Sequence, residues 1–222
     1  YKRQAMAAKA LRVKPEQLKK FSVAKQSVDA RDKNNVCLVF SVSFSLAHEE
    51  RYLHFRNVSK LKPYSFTLPR ASSSLPPVVV GFGPAGMFAA LMLARAGLKP
   101  LVIERGRCVE ERQRDIQRFW RTGVLNTESN VQFGEGGAGT FSDGKLTTGK
   151  NNPLIHIVFE EFVKAGAPKE IMYLAKPHIG TDKLVAVVKH IREEIIALGG
   201  KVLFSHRLKA VSYTHLRAHE TV

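Results

Sequence analysis

Val78-Val79-Val80 runs directly into Gly81-Phe82-Gly83-Pro84-Ala85-Gly86, and an Ala-, Leu- and Met-rich stretch continues to Ala96, where Gly97 closes it. No other feature constrains the fold as tightly. A short, wholly apolar strand must turn sharply and enter a helix within six residues. Gly81 suits the sharp turn, Gly83 a close approach of backbone to a ligand, and Gly86 tight packing of the helix on the strand. Pro84 falls at the start of the helix, where its missing N–H costs nothing. Leu101-Val102-Ile103 then reads as a second buried strand, so the segment is β-α-β, and its continuous apolar strands predict a parallel sheet covered on both faces.

Glu104 closes that second strand, 18 residues after Gly86. An acid there is placed to hydrogen-bond a ribose hydroxyl, while the helix N-terminus offers free N–H groups and a positive dipole to phosphates. The expectation is a dinucleotide site, with NAD and FAD both open at this point. A second glycine-rich segment runs from Gln132 to Leu146 and includes Gly136-Gly137-Ala138-Gly139-Thr140. Its small residues leave room for a planar ring and a phosphate, and its N–H groups can form an anion-binding nest. Phe133, Phe141 and Leu146 punctuate it at buriable positions, which favours an ordered loop.

Leu75 to Ala94 carries no charge and is long enough to span a bilayer. Three glycines and a proline at its centre argue against that reading, because lipid offers no water to the freed backbone groups. The remaining chain adds a polar, arginine-laced helix at Val109–Thr122 and a helix at Ile155–Ala165. A longer helix is capped by Thr181 or Asp182, with Leu184, Val187, Val188, Ile191, Ile195 and Leu198 at helical spacing. Lys201–Leu208 reads as a strand.

The 222 residues hold 35 Lys/Arg against 19 Asp/Glu, a net charge of +16. The excess is concentrated before Ala71-Ser72-Ser73-Ser74-Leu75-Pro76-Pro77, which reads as a linker: residues 1–75 carry 15 Lys/Arg and 5 Asp/Glu. This N-terminal part reads as a small α+β unit. Gln4–Leu11 forms a helix, Pro15 opens a short helical turn, Arg31–Asn35 turns, and Val36–Leu46 alternates as a strand. A basic surface invites nucleic acid, but Lys2, Arg3, Lys9, Arg12, Lys14, Lys19, Lys20 and Lys25 are scattered and no RNP-type aromatic motif accompanies them. A solvated face is the reading adopted, without a nucleic-acid or membrane partner. Cys37 and Cys108 form neither a disulfide framework nor a zinc quartet, so a reducing, cytoplasmic setting is expected, with no metal.

The motifs together resemble a family of bacterial FAD-dependent dehydrogenases within the NAD(P)/FAD-dependent oxidoreductases. The stretches that carry the likeness are Gln26-Ser27-Val28-Asp29-Ala30-Arg31, the unit from Pro76 to Gly97 with Val102-Ile103-Glu104-Arg105-Gly106, the segment from Asn130 to Thr148, and His178 to Leu184. The likeness covers about residues 1–210. It implies an α/β fold: a Rossmann-like FAD-binding domain of glutathione-reductase type over residues 76–210, incomplete, behind the small α+β domain of residues 1–75. Gly81, Gly83, Pro84, Ala85, Gly86, Glu104 and Arg105 would hold the ADP half of FAD. Gly136, Gly137, Ala138, Gly139 and Thr140 would approach the pyrophosphate and flavin end. NAD(P)H is the implied reductant. The substrate, the electron acceptor and the catalytic residues are unknown, because the segments expected to carry them would lie after residue 210.

Residues 211–222 are expected to be non-native. Val211 to Thr221 can be back-translated into a transposase adapter used in preparing sequencing libraries. The His215 and His219 pair, at metal-like spacing, is discounted for the same reason.

Overall fold

The structure, a computed structural model, describes residues 2–62, 64–150 and 152–210. The tail expected to be non-native lies outside the described residues. The chain is a mixed α/β protein that divides into two compact units: Tyr1–Thr67 with Lys145–Ile179, and Leu68–Gly144 with Gly180–Val222.

The first unit begins with helix α1 (Lys2–Leu11), followed by a 3-10 turn at Pro15–Gln17. Strands β1 (Lys19–Asp29) and β2 (Cys37–Ser45) form an antiparallel hairpin. β1 has no counterpart in the sequence reading. It is interrupted by two register irregularities, between Lys19 and Ser22 and between Val23 and Lys25, so its side chains do not keep the strict alternation that marks a strand. Ala8, Leu11 and Leu18 form the buried centre, with Phe21, Phe44, Leu46, Tyr52 and Phe55 packed around it. The alternation expected of Val36–Leu46 is only half realised: Leu38 and Val39 are both exposed.

Residues 145–179 join this unit rather than continuing the second. The Gln26 N–H donates to the Tyr173 carbonyl at 2.7 Å, and the Ala175 N–H donates to the Gln26 carbonyl at 2.8 Å. Those bonds use the free edge of β1. Helix α4 (Leu154–Lys164) belongs here, followed by a 3-10 turn at Lys169–Met172 that buries Ile171. At the other boundary, the Ala71 N–H donates to the Ala96 carbonyl at 3.0 Å, which anchors the expected linker to the second unit. The division therefore differs from a simple 1–75 and 76–210 partition at both places, and backbone pairing is the reason.

The second unit is built on β3 (Val78–Val80), β4 (Leu101–Ile103) and β5 (Lys201–Leu203), parallel and in that order. Helix α2 (Pro84–Arg95) connects β3 to β4, and α3 (Val109–Thr122) follows β4. Helix α5 (Thr181–Ala197) leads into β5. α2 packs on α5 and on β3 and β4, while α5 also meets α3 and β5. Met87, Ala90, Leu91 and Ala94 of α2 and Val187, Val188, Ile191 and Ile195 of α5 are buried around Val102, which is fully enclosed. An ion pair from Arg95 to Glu194, at 2.7 Å, ties the two helices at their rim.

Three expectations need correction. The sheet is not covered on both faces, since Val78 and Val80 are 56% and 57% exposed. The helices pack over the side on which Val79 and Val102 lie, and a strand of period two turns its other residues away. β5 ends at Leu203 rather than Leu208, because Ser205 takes a left-handed φ of 57° and its N–H bonds the Gly106 carbonyl. Neither Thr181 nor Asp182 caps α5. Gly180 is the cap residue, and the Thr181 hydroxyl instead donates to the Ser142 carbonyl at 2.9 Å. Leu75–Ala94 folds as β3, the glycine turn and part of α2. Among the described residues, no helix is long and apolar enough to cross a membrane.

Candidate functional site

The β3–α2 turn has the geometry expected at Gly81 and Gly86. Gly81 has φ +92°, a conformation that L side chains rarely adopt. Its N–H bonds the Ile103 carbonyl at 2.8 Å, linking the turn to the end of β4. A Cβ on Gly86 would collide with the Gly81 carbonyl, which is the close helix–strand packing expected of that position. Gly83 is the cap of α2 with Pro84 at N1. Pro84 and Ala85 are exposed, so this helix end is open to solvent.

Glu104 stands beside the turn and is buried. Its Oε2 accepts the Phe82 N–H at 2.6 Å and its Oε1 accepts the Gly106 N–H at 2.7 Å. The carboxylate thus splints the glycine turn to the chain leaving β4. Each oxygen keeps a further acceptor site for a hydroxyl. Arg105 is paired with Glu128 at 3.2 Å and lies over the Phe133 ring at 4.5 Å.

The second glycine segment packs directly on the first. The Gly136 N–H donates to the Phe82 carbonyl at 2.8 Å. A Cβ on Gly137 would stand 3.2 Å from Pro84 Cδ and 3.4 Å from Gly83 Cα. A Cβ on Gly106 would strike the Gly134 backbone, so a second pair of glycines lets the chain after β4 touch the same loop. The Gly137 N–H is spent on the Gly134 carbonyl at 2.8 Å, and the buried Thr140 hydroxyl donates to the Glu135 carbonyl at 3.3 Å. Gly136, Gly137 and Thr140 therefore serve first to shape the loop. Ala138 is exposed, and a Cβ on Gly139 would meet nothing within 4 Å, so the start of the 3-10 turn at Ala138–Phe141 is open. Leu146, expected to belong to this loop, falls in the other unit.

Three charged residues that the sequence reading did not single out hold the loop. Arg112 of α3 is 0% exposed, and its guanidinium donates to the carbonyls of Asn130, Val131, Glu135 and Gly137. Burial pulls its pKa down to about 10, against the opposing pull of Glu104 and Glu135. Glu135, also 0% exposed, accepts the Val109 N–H at the start of α3 at 2.7 Å and pairs with Arg192 of α5 at 2.8 Å. Among the described residues its Oε1 has no hydrogen-bond partner, and burial raises its pKa to about 7. Arg192 also grips Glu110 at 2.6 Å, and that bond holds the Glu110 carboxyl near 2. One signal was readable: Val109, Arg112 and Ile116 share a helical stripe, so an arginine sits where the pattern demands an apolar residue.

Cys37 is exposed and Cys108 half-buried, and both are free thiols; burial pushes the Cys108 thiol up. Among the described residues, no cluster of metal-ligating side chains occurs. In the first unit, Lys2, Arg3, Phe21, Ser22 and Val23 line a shallow cavity of 430 Å³, and Arg3 lies over the Phe40 ring at 4.2 Å.

Comparison with known proteins adds two likenesses. Residues 2–45 match the model of a domain of unknown function, DUF8436, which covers α1 and the β-hairpin. The chain is 48% identical over 216 residues to a protein of Clostridium beijerinckii (strain ATCC 51743 / NCIMB 8052) described as an uncharacterized protein. That match takes in 92% of this chain and 40% of the relative, so the chain spans well under half the relative's length.

Proposed function

We propose that this chain carries the FAD-binding part of an oxidoreductase, an NAD(P)H-linked dehydrogenase in the reducing, cytoplasmic setting that two unpaired cysteines suggest. The observation that carries the reading is the meeting of the two glycine segments. Two motifs about fifty residues apart share one hydrogen bond, Gly136 to Phe82, and one glycine-to-glycine contact, Gly83 to Gly137. Glu104 stands at the same end of the sheet.

The residues fit a dinucleotide. A Cβ on Gly83 would approach the Gly137 Cα at 3.9 Å, an ordinary van der Waals distance. Glycine at 83 is therefore not demanded by the chain's own packing, and its bare backbone is the cradle a pyrophosphate needs. In this reading Gly81, Gly83, Pro84, Ala85 and Gly86 form the Rossmann-like turn, and the first N–H groups of α2 face the phosphates. Glu104 orients the adenosine ribose through its remaining acceptor sites, with Arg105 at the rim. Gly136 and Gly137 hold the second segment against the first, while Ala138, Gly139 and the Thr140 backbone face the pyrophosphate and flavin end. When bound, FAD supplies hydride acceptance and electron transfer; the protein binds it, orients it and tunes its surroundings.

The test is purification of the 222-residue chain, followed by its visible spectrum and titration with FAD and NAD. A flavin band, or saturable FAD binding that Gly83→Val abolishes, is the expected result. Co-purified NAD without flavin would favour an NAD-only domain. Salt-dependent RNA retention without flavin would favour the basic first unit as the functional surface.

A further inference from the structure

We propose that Arg112 is the positioning residue of the second glycine segment, a role that rests on the cofactor reading above: it acts on a bound dinucleotide through the loop and touches none of it. Burying a guanidinium is costly unless its donors are satisfied. Here each group of donors finds a main-chain carbonyl. Nη1 donates to Glu135 and to Gly137 at 3.0 Å, Nε and Nη2 to Asn130 at 3.3 and 3.1 Å, and Nη2 also to Val131 at 3.4 Å. Four carbonyls within eight residues thus converge on one planar fork. The Phe141 ring lies 4.9 Å from the guanidinium, and Gly134 rests on the side-chain methylenes, where a Cβ would collide with Cδ.

The consequence for a ligand follows from peptide geometry. In a trans peptide the carbonyl and the next N–H point to opposite sides. Arg112 draws the Gly137 carbonyl inward, so the Ala138 N–H is turned away from it, at the open start of the 3-10 turn. The arginine therefore decides which way the loop's donors face, and it places a buried positive charge behind them, where a low dielectric screens it poorly. Lysine cannot replace it. An ammonium has three donors on a point charge, whereas the guanidinium offers five in a fixed plane.

The experiment compares two probes on the full chain. AMP needs only the first turn and Glu104; FAD, with its pyrophosphate and flavin, needs the second segment as well. Arg112→Lys is expected to weaken FAD binding about tenfold or more while AMP affinity stays within about twofold. Equal loss of both probes would indicate a merely structural arginine, and unchanged FAD affinity would also overturn the proposal. Hydrogen exchange on the same samples gives a readout independent of ligand. Exchange should rise over residues 130–141 and not in α2 or α5. If the wild-type chain binds neither probe, the cofactor reading fails, and the exchange pattern alone decides the role of Arg112: a rise confined to the loop supports it, a uniform rise or none refutes it. Should Arg112→Lys fail to fold, Gly134→Ala presses on the same side chain from the loop, and a folded Gly134→Ala with the wild-type ratio of FAD to AMP affinity would refute the proposal.

Discussion

The two glycine segments of the second unit meet at Phe82 and Gly136, yet they are specified by opposite means. The first turn is shaped mainly by near neighbours, the strand before it, the helix after it and Gly86 lying against Gly81, and is braced from the end of β4 by the Ile103 carbonyl and Glu104. The second segment has no strand or long helix of its own. It is wound around Arg112 and pinned by Glu135, which in turn reaches Val109 and Arg192. A turn held by local sterics tolerates little change in its own residues. A loop held by a buried cation depends on residues far from it in sequence.

Breaking the post should produce the largest effect. Arg112→Met leaves four carbonyls, two buried and two part-buried, facing an apolar side chain, and the expected destabilisation is about 4 kcal/mol, measured by denaturant unfolding of the full chain. The local turn should break more cheaply. Gly86→Ala drives a Cβ into the Gly81 carbonyl, which cannot yield without moving the β3–α2 connection. The cost should be about 3 kcal/mol, at the upper end for overpacking. If Gly86→Ala proves costlier than Arg112→Met, the contrast between the two segments is reversed.

Glu135 sharpens the contrast through pH. Its folded-state pKa is about 7, raised by burial from an ordinary 4.5. The folded protein therefore holds this proton more tightly than the unfolded chain. The stability it contributes is fully present below 4.5 and is lost as pH rises through 7. Between about pH 5 and pH 8 the wild type should lose about 2 kcal/mol. Glu110 works in the opposite sense but elsewhere. Arg192 holds its pKa near 2, so its contribution is present above 4.5 and lost only as pH falls towards 2. The slope between pH 5 and 8 should accordingly flatten in Glu135→Gln; an unchanged slope would show that other groups set it.

Local patterns explain which parts were legible in the sequence. Strand, turn and helix at Val78–Arg95 are contiguous, and α3 from Val109 to Thr122 is bounded by its own residues. β1 was missed because its two irregularities erase the alternation. The assignment of residues 145–179 to the first unit depends on a pairing of Gln26 with Tyr173 and Ala175, nearly 150 residues away. The same distance argument applies to the site. Gly81 and Gly86 could be read from spacing, because they answer to each other, and the position of Glu104 could be read from its distance to the motif, though its bond to Phe82, 22 residues back, could not. The partners of Arg112 lie 18 to 25 residues on, and no spacing rule links an arginine to a set of carbonyls. Its one trace was its place on an apolar stripe.

The smallest effect on stability should come from Gly83→Ala, and it separates fold from ligand most cleanly. Gly83 has φ −73°, which alanine adopts without strain. The added Cβ would stand 3.9 Å from Gly137 Cα, in ordinary contact. Alanine is a poorer helix cap than glycine, but Gly83 makes no side-chain cap bond to lose, so the cost should be about 0.5 kcal/mol or less. In the proposed cofactor reading, the same methyl group would crowd the bare backbone that the pyrophosphate approaches. Gly83→Ala should therefore melt within a few degrees of the wild type and bind FAD measurably more weakly, with ADP affinity falling alongside because both probes carry the diphosphate. Wild-type affinity for both would remove Gly83 from the ligand surface and leave the first turn a purely structural device.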